Sequence, residues 1–371
     1  MRARRSWVPP RRSSGLAERL ADHTTLRLGG PARAWVRATT EEELVEAVSA
    51  ADAAGEPVLV LGGGSNLVVA DEGFAGTVVE VATRGVSADT DPAGDAEDPT
   101  CGGALVTVAA GETWDDLVAQ AVERGWVGIE ALSGIPGSVG ATPIQNVGAY
   151  GQEVSQTIAS VRVWDRKLNG IRTFAAADCG FGYRTSRFKI DRYDANGGRH
   201  LVLSVTFQLR QGSLGAPVAY AELARSLGVE PGTRAPLPDV RAAVLRLRGS
   251  KGMVLDPADH DTWSAGSFFT NPVLPASEVP EGAPAWPTAE DGLVKTSAAW
   301  LIEHAGFGKG YGLDREPGRV SLSTKHTLAL TNRGGASAAD LLALAGEVRD
   351  GVAASYGITL VNEPVLVGCS L

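Results

Sequence analysis

A glycine-rich segment follows the first strongly apolar run of the chain, at residues 62–66 (GGGSN). Consecutive glycines let backbone N–H groups approach a phosphate closely, and the Ser65 and Asn66 side chains add hydrogen-bonding groups. The segment is not a Rossmann fingerprint, because Leu67 stands where a glycine is required and the residues that follow are strand-like. It therefore predicts a phosphate-binding loop, with an ordinary turn as the alternative.

A second segment, residues 133–151, also lacks the side chains that would hold a loop by packing. It carries Gln145 and Asn146 among glycines at positions 134, 137, 140, 148 and 151. Backbone that wraps a polar ligand explains such a segment better than structural coil, because the ligand satisfies its N–H groups. Two glycine-rich loops of this kind favour a cofactor that contains a pyrophosphate.

A basic segment, CGFGYRTSRFK at residues 179–189, places Arg184, Arg187 and Lys189 among aromatic residues. The planar guanidinium of Arg184 is suited to hold a carboxylate through two hydrogen bonds. A solvated basic loop is the alternative.

A serine and a glutamate stand out in the last third of the chain. Ser267 lies among small residues in SAGSFFTNP (264–272), but Phe269 excludes the GxSxG motif of hydrolases. Glu363 lies in the apolar stretch LVNEPVLVG, where a carboxylate must be paired, protonated or at a strand end. Exposure at a sheet edge is the alternative for Glu363. The histidines, at positions 23, 200, 260, 304 and 326, lack metal-binding spacing, so no metal site is predicted.

Short apolar runs separated by glycine-rich turns predict the strands that must position these residues. These are Val58–Leu61, Leu67–Ala70, Thr77–Val81, Ala104–Ala109, Ser160–Asp165, His200–Leu209, Ser267–Leu274, His326–Thr331 and Leu360–Val367. A helix is predicted from about Thr113, where Asp116 completes a capping box. Further predicted helices are Tyr220–Leu227, Asp239–Leu247, Ser297–Ala305 and Ser337–Ser355. The pattern changes after residue 212, which predicts a domain boundary there.

The composition is that of a globular protein rather than a disordered or disulfide-stapled chain. Of 371 residues, 44% are hydrophobic and 21% are charged, close to the globular average. The formal charge is 34 − 43 = −9, so nothing global favours nucleic acid as a partner. The cysteines, at positions 101, 179 and 369, form no CxxC pair and fit a reducing compartment.

Two segments carry features of targeting or membrane signals without meeting the criteria. The N-terminus carries five arginines but no apolar h-region, so it predicts a basic tail rather than a secretory signal. The longest uncharged stretch, residues 131–152, contains prolines and glycines that make a poor lipid-facing helix. We therefore expect a soluble cytoplasmic protein with no membrane partner, and a solvated acidic loop at residues 88–103.

With these motifs laid out, the chain resembles the UDP-N-acetylenolpyruvoylglucosamine reductase (UDP-N-acetylmuramate dehydrogenase) family from about Thr25 to Gly368. The resemblance rests on LGGGSNLVV (61–69), LSGIPGSVGATPIQNVGAYGQE (132–153), CGFGYRTSRFK (179–189), SAGSFFTNP (264–272) and the Glu363 strand. It implies an α+β fold with a vanillyl-alcohol-oxidase/PCMH-type FAD-binding domain of two subdomains at residues 21–212. A C-terminal α+β substrate-binding domain follows at 213–371, and residues 1–20 form a flexible basic tail.

The resemblance implies NADPH-dependent, FAD-mediated reduction of UDP-N-acetylglucosamine enolpyruvate to UDP-N-acetylmuramate, for peptidoglycan precursor synthesis in the cytoplasm. FAD is the implied cofactor and NADPH the co-substrate. We expect a monomer, because the sequence has no coiled-coil or interface signature.

The resemblance also assigns roles residue by residue. Ser267 matches the serine that protonates the substrate carbon, while Arg184 and Glu363 match the pair that stabilises the enolate-like intermediate. The positions that match the flavin-binding loops are Leu61, Gly62, Gly63, Gly64, Ser65, Asn66, Leu67, Ser133, Gly134, Ile135, Pro136, Gly137, Gly140, Ala141, Gln145, Asn146 and Gly148. The positions that match substrate contacts are Tyr150, Tyr183, Tyr220, Arg248, Lys251, Asn271 and His326. Tyr220 resembles the tyrosine of the subclass whose extra loop closes over the nucleotide diphosphate.

Two positions depart from the family pattern. The closing strand usually contains Glu-Val-Arg, whereas this chain has Glu363-Pro364-Val365. Any charge that the arginine supplied must therefore come from elsewhere. His326 stands where some members have glutamine.

Two other functions fit parts of the pattern. An FAD oxidase of the same fold, acting on an alcohol or aldonolactone, would consume oxygen steadily with such a substrate. Ser267 and the Tyr183–Arg184 motif argue against it. A non-catalytic UDP-sugar-binding protein would bind no flavin, yet both flavin-type loops and all three catalytic positions are present.

Overall fold

The structure, a computed structural model, describes residues 18–90, 102–193, 197–288 and 290–371. The basic tail up to residue 17, most of the acidic stretch (91–101) and its cysteine lie outside the described residues. Two compact units make up the described chain. The first unit contains residues 31–63 and 74–247, and the second contains residues 19–30, 64–73 and 248–371.

The strands range from two residues to the twelve of β12, and the first unit holds all of them except β3 and β13 to β18. In chain order they are β1 (Ala32–Ala38), β2 (Val58–Leu61), β3 (Leu67–Val69), β4 (Phe74–Val81), β5 (Val86–Thr90), β6 (Gly103–Ala109), β7 (Trp126–Val127), β8 (Gly148–Ala149), β9 (Gln152–Glu153), β10 (Ile158–Asp165), β11 (Gly170–Ala175), β12 (His200–Gln211), β13 (Val273–Pro275), β14 (Ala285–Pro287), β15 (Leu293–Thr296), β16 (Val320–Leu322), β17 (Leu330–Asn332) and β18 (Val365–Val367).

The helices range from single turns to the long α8. In chain order they are α1 (Glu41–Ala53), α2 (Trp114–Glu123), α3 (Thr142–Gln145), α4 (Arg187–Ile190), α5 (Ala221–Leu227), α6 (Leu237–Ser250), α7 (Ala298–His304) and α8 (Ala338–Tyr356). Among the helices that the structure describes, none has the length and apolar character needed to cross a bilayer.

Two larger sheets build the first unit. One is parallel, in the order β1-β4-β2, and its core includes Leu44 and Val48 of α1. The other is antiparallel, in the order β11-β10-β12-β6-β5, with β7 paired to β12. Its core includes Trp114 of α2 and Phe207 of β12. Leu132 and Val139 belong to the same core, so the glycine-rich residues 133–148 are attached to well-packed structure.

A tryptophan fixes the start of α2. The indole N–H of Trp114 donates to the Leu132 carbonyl (3.0 Å), and its backbone N–H donates to the Gly137 carbonyl (3.0 Å). The predicted inward face, which also contains Leu117, Val118 and Ala121, is buried as expected. The predicted capping bond at Thr113 is absent; the Gly137 carbonyl meets the helix N-terminus instead.

The second unit is built around α7 and α8. The predicted capping box at the start of α8 is present, with the Ser337 hydroxyl accepting from the Asp340 N–H (3.0 Å) and the Asp340 carboxylate accepting from the Ser337 N–H (3.0 Å). The buried face of α8 packs in one cluster with Phe268 and Phe269. Three small sheets surround this core: β13-β15-β14, β16-β17 and the parallel pair β3-β18.

Two predicted strands are much shorter than expected, and proline explains both. Proline has no N–H to donate to a neighbouring strand. Pro272 interrupts the expected strand 267–274, of which β13 is the remainder, and Pro364 interrupts 360–367, so β18 begins at Val365. The strand predicted at 326–331 is also shorter: only β17, Leu330–Asn332, is present there.

Residues 213–247, predicted from the sequence to belong to the C-terminal domain, group with the first unit. The compact units are thus not the predicted domains, whose limits of 21–212 and 213–371 stay a functional prediction.

Candidate active site

The two glycine-rich segments meet, backbone to backbone, in the first unit. A Cβ placed on Gly63 would lie 2.5 Å from the Gly137 Cα, and one on Gly62 would overlap the Ser138 hydroxyl. Backbone atoms leave no room for a side chain at position 63, so Gly63 must be glycine, whereas the close neighbour of Gly62 is the end of a serine side chain. The remainder of the first segment, Gly64–Leu67, belongs to the second unit.

This cradle of bare backbone fits the diphosphate of FAD. A phosphate binds to backbone N–H groups that no side chain screens, and consecutive glycines provide such a surface. Gly137 also has a φ of 127°, a conformation that other residues rarely adopt. The residues present therefore suit the cofactor that the sequence implies.

Protein groups, rather than a ligand alone, shape the second segment. The Gly134 N–H donates to the Asp115 carboxylate (2.6 Å), which Arg241 holds from the other side through two bonds (2.7 and 2.8 Å). The Gly140 N–H donates to the Ala110 carbonyl (2.8 Å). The interpretation that a ligand must satisfy these backbone groups is therefore wrong for Gly134 and Gly140.

Glutamates flank the uncharged stretch 131–152, and each accepts a hydrogen bond from an amide side chain within it. The Glu130 carboxylate accepts from the Gln152 side-chain amide (2.9 Å), and the Glu153 carboxylate accepts from the Asn146 side-chain amide (2.9 Å). Asn146 is buried, and its amide also donates to the Gly182 carbonyl (2.9 Å). This predicted flavin ligand thus connects the stretch to the basic segment.

A two-residue turn at Tyr150 and Gly151 connects β8 and β9. Both residues have positive φ, 50° and 85°, as in a type I′ turn. The Tyr150 ring packs edge-on against Tyr220, with 5.5 Å between ring centroids. At the start of the same hairpin, the Gly148 carbonyl accepts a hydrogen bond from the Arg184 guanidinium (2.8 Å). The hairpin thus brings together four predicted site residues: Gly148, Tyr150, Arg184 and Tyr220.

Arg184 lies at the tip of a tight turn. Gly182 and Thr185 exchange backbone hydrogen bonds of 3.1 and 3.3 Å around it. The Arg184 carbonyl accepts a hydrogen bond from the Lys189 ammonium (2.9 Å). The backbone of Arg184 is therefore fixed on both sides.

Backbone strain is concentrated on the predicted site. Among the described residues, the non-glycine residues with left-handed backbone are Arg27, Asn146, Tyr150, Asn169 and Arg184. Asparagine tolerates this conformation, whereas tyrosine and arginine pay on the order of 1 kcal/mol for it. Such strain persists where the surroundings enforce it and is common at functional sites.

Cys179, at the start of the basic segment, is not a candidate nucleophile. Its side chain is fully buried. Burial raises the pKa of the thiol to about 11, with the Arg187 charge acting in the opposite direction. The thiol therefore stays protonated at neutral pH.

Ser267 and Glu363 lie on neighbouring segments of the second unit. Phe268, the residue after Ser267, accepts a hydrogen bond from the Glu363 N–H (2.8 Å) and donates to the Leu328 carbonyl (2.7 Å). His326 precedes Leu328 by two residues. The backbone therefore aligns Ser267, Glu363 and His326 on three adjacent segments.

A buried carboxylate fixes the loop that precedes His326. Asp261 is 4% exposed, accepts from the Thr324 N–H (2.9 Å) and hydroxyl, and pairs with Arg333. Burial raises the pKa of Asp261, but the Thr324 hydrogen bonds and the Arg333 charge outweigh it, so the net pKa is lowered. The pair keeps its charges at neutral pH.

Three other predicted substrate residues also have structural partners in the second unit. Arg248 is buried and donates to the Met253 carbonyl (2.8 Å). Lys251 lies in the turn that follows α6, where its N–H donates to the Arg248 carbonyl (3.1 Å). The Asn271 side chain accepts from the Ala298 N–H (3.0 Å) at the start of α7.

Two family profiles match the chain. The profile described as FAD binding domain matches residues 32–170, and the profile of the C-terminal domain of UDP-N-acetylenolpyruvoylglucosamine reductase matches residues 256–367. The UDP-N-acetylenolpyruvoylglucosamine reductase of Cutibacterium acnes is 60% identical over 352 residues, which is 95% of this chain and 90% of the relative. The chain belongs to the UDP-N-acetylenolpyruvoylglucosamine reductase family. The reductase of Thermobifida fusca is 57% identical over 365 residues, which is 95% of this chain and 97% of the relative.

A solved structure agrees with this family membership. The crystal structure of UDP-N-acetylenolpyruvylglucosamine reductase from Thermus caldophilus matches with a TM-score of 0.60 at 26% identity, covering 94% of this chain and 97% of that chain. The predicted family, the α+β fold with an FAD-binding domain, and FAD as cofactor are confirmed. The roles of single residues and the tyrosine-loop subclass stay predictions.

Sequence reasoning missed three carboxylates that shape this reductase-family site: Glu130, Asp115 and Asp261. For Glu130 a signal exists, because it stands directly before the longest uncharged stretch of the chain. Asp115 lies in the acidic first turn of a helix, where solvated carboxylates are common. Asp261 lies in ADHDTW, and nothing in that pattern separates it from its neighbouring aspartates.

Proposed function

We propose that this chain catalyses NADPH-dependent, FAD-mediated reduction of UDP-N-acetylglucosamine enolpyruvate to UDP-N-acetylmuramate, in cytoplasmic peptidoglycan precursor synthesis. One observation carries the proposal. Ser267, Arg184 and Glu363 all stand at the family's motif positions, in a chain that is 60% identical to a UDP-N-acetylenolpyruvoylglucosamine reductase over 352 residues.

Bound FAD supplies hydride transfer from NADPH to C3 of the enolpyruvyl group. The residues that would hold its diphosphate are above all Gly62, Gly63 and Gly137, which offer backbone N–H groups and have no side chains of their own.

Arg184 and Glu363 would hold the charge that develops when a hydride is added to C3. That charge lies at C2 and on the attached carboxylate, which a guanidinium binds through two hydrogen bonds. The tight turn and the bond to the Gly148 carbonyl fix Arg184 in place, so little reorganisation is needed during the reaction. Glu363 would complete the pair that stabilises the same enolate-like state.

Ser267 would complete the reaction by giving its hydroxyl proton to C2, after which solvent restores the proton to the serine. The net reaction consumes NADPH and one proton and releases NADP⁺. A serine hydroxyl is a weak acid, so this transfer requires accurate placement and a nearby cation. Arg248 and Lys251 belong to the same compact unit and are the candidates for that cation.

The first unit would also contribute aromatic substrate contacts. Tyr183 and Tyr220 are 37% and 46% exposed, which leaves both rings available to a ligand. The full proposed set of substrate contacts is Tyr150, Tyr183, Tyr220, Arg248, Lys251, Asn271 and His326. The proposal further includes a monomeric protein with no nucleic-acid or membrane partner.

An anaerobic half-reaction experiment tests the proposal. The purified holoenzyme is reduced with NADPH while the flavin absorbance is followed, and the enolpyruvyl UDP-sugar is then added. Bleaching followed by return of the oxidised spectrum is the expected result. Bleaching without return would rule out this acceptor, and steady oxygen consumption with a sugar alcohol would then favour an oxidase. A protein that shows no flavin spectrum even after FAD is supplied would favour the non-catalytic alternative.

A further inference from the structure

Glu130 is a buried carboxylate that none of the steps above uses. It is 1% exposed, and no cation pairs with it among the residues that the structure describes. Its oxygens accept three hydrogen bonds instead: from the Gly128 N–H (2.7 Å) on Oε2, and from the Ala216 N–H (2.6 Å) and the Gln152 amide (2.9 Å) on Oε1. An unpaired carboxylate is tolerated in such a place only when N–H donors replace water in this way.

The donors on Oε1 come from two segments that carry predicted substrate contacts. Gln152 directly follows the Tyr150–Gly151 turn, and its side-chain Oε1 accepts from the Ala131 N–H (2.8 Å). Ala216 lies in the segment that leads to Tyr220 at the start of α5. One carboxylate oxygen thus ties the two segments together.

The contact between these segments is close. A Cβ placed on Gly215 would lie 2.8 Å from Glu130 Oε1, so a side chain at this position would displace the carboxylate from its hydrogen bonds. Further along the same two segments, a Cβ on Gly151 would touch the Ala219 Cβ at 3.4 Å. The Tyr150 and Tyr220 rings then meet edge-on.

We propose that Glu130 is a positioning residue for the UDP-sugar substrate, because it sets the Tyr150–Tyr220 pair through Gln152 and Ala216. The inference rests on the proposed function, since it assigns the tyrosine pair to substrate binding. It predicts a defect in substrate affinity rather than in flavin reduction.

Glutamine cannot replace Glu130 without a defect, although it has the same shape. Both carboxylate oxygens accept from N–H groups, whereas a glutamine side chain offers one oxygen and one NH₂ group. In either orientation the NH₂ group faces a backbone N–H, of Gly128 or of Ala216, and that donor is left unsatisfied.

Substrate binding to the oxidised holoenzyme tests the inference, because binding can then be measured without turnover. Calorimetric titration with the enolpyruvyl UDP-sugar should give a Kd about tenfold higher for Glu130→Gln than for the unaltered protein. The rate of flavin reduction by NADPH should stay within about twofold. The control is Asp165→Asn, which alters a fully buried carboxylate of the same unit whose partner is Arg199. It should lower the Tm without changing the Kd.

A double-mutant cycle separates positioning from general destabilisation. If Glu130 acts through the tyrosine pair, Glu130→Gln should change the Kd by less than about twofold in a Tyr220→Ala background. The same tenfold rise in both backgrounds would overturn the inference. If Glu130→Gln does not fold, Gln152→Met removes one of the donors on Oε1, and an unchanged Kd in that variant would also overturn it. An unaltered holoenzyme that does not bind the enolpyruvyl UDP-sugar would contradict the proposed function itself.

Discussion

The two compact units hold their candidate site residues by different physical means. In the first unit the two glycine-rich segments contain no charged residue, and they are fixed mainly by close backbone contact and by amide donors on the Glu130 and Glu153 carboxylates, with the Asp115–Arg241 pair as an additional anchor. In the second unit an ion pair does the equivalent work, with Asp261 on Arg333 beside the loop that leads to His326.

This difference predicts a different sensitivity for each unit. Segments that touch backbone to backbone cannot accept an added methyl group at the contact, and the contact itself does not depend on the charge state of an ion pair. A segment held by an ion pair accepts changes of volume more easily but depends on the charge state of the pair. Variants in the first unit should therefore change cofactor and substrate binding, whereas variants in the second should change proton transfer and the pH dependence of stability.

The largest expected effect is that of Ser267→Ala in the second unit. Loss of the hydroxyl should slow flavin reoxidation by the enolpyruvyl UDP-sugar by about 10² to 10⁴, because general acid catalysis typically contributes this much. Flavin reduction by NADPH and flavin content should be nearly unchanged. Stopped-flow absorbance of the two half-reactions measures both rates.

The exposed Ser277→Ala provides the matched control, since it makes the same chemical change away from the three adjacent segments. An unchanged reoxidation rate in Ser267→Ala would remove this serine from the mechanism. Equal slowing of both half-reactions would mean that Ser267 also supports the flavin, which would break the distinction between the units.

The next largest effect is expected for Gly63→Ala in the first unit. Its new Cβ would lie 2.5 Å from the Gly137 Cα, and backbone on both sides leaves no flexible side chain to move away. Overpacking of this kind costs about 1–3 kcal/mol, so the Kd for FAD should rise by up to about a hundredfold. Titration of the apoprotein with FAD measures it.

Gly170→Ala in β11 is the control for Gly63→Ala, because the nearest atom to its new Cβ is 3.9 Å away. It should bind FAD normally. A Gly63→Ala protein with full FAD affinity would show that the two glycine-rich segments can separate without cost, contrary to the role assigned to their contact.

Local patterns in the sequence predicted the elements more completely than the contacts between them. β2 begins and ends as predicted, the inward face of α2 is buried, and Ser337 caps α8. Each of these depends on residues within a few positions of one another. The glycine-rich segments were recognised for a similar local reason, because runs of glycine are visible without knowledge of the fold.

The features of the site that the sequence does not predict are hydrogen bonds and ion pairs between residues far apart in the chain. Glu130 meets Gln152 across 22 positions of sequence, and Asp261 meets Arg333 across 72. Neither periodicity nor motif spacing encodes such partners, because they depend on how the elements pack. The shortening of two strands does have a local signal in the sequence, because Pro272 and Pro364 limit strand pairing despite their apolar neighbours.

The smallest expected effect, and the one that depends on pH, belongs to Asp261→Asn. At pH 7 the variant should lose about 2 kcal/mol of unfolding free energy, because hydrogen bonds to a charged group contribute about 1.5–3 kcal/mol. The folded-state pKa of Asp261 is lowered, so its contribution is complete above the ordinary aspartate pKa and is lost as the pH falls through the lowered value. The difference between the two proteins should therefore shrink as the pH falls below about 4.

Urea unfolding at a series of pH values measures this difference. Asp256→Asn is the matched control: Asp256 is an exposed aspartate of the same region, so its loss should change stability little at any pH. A difference that stays constant down to pH 3 would mean that Asp261 acts through shape and hydrogen bonding alone, as Glu130 does. The second unit would then be held by the same means as the first, because an ion pair whose charge does not matter is only another set of hydrogen bonds.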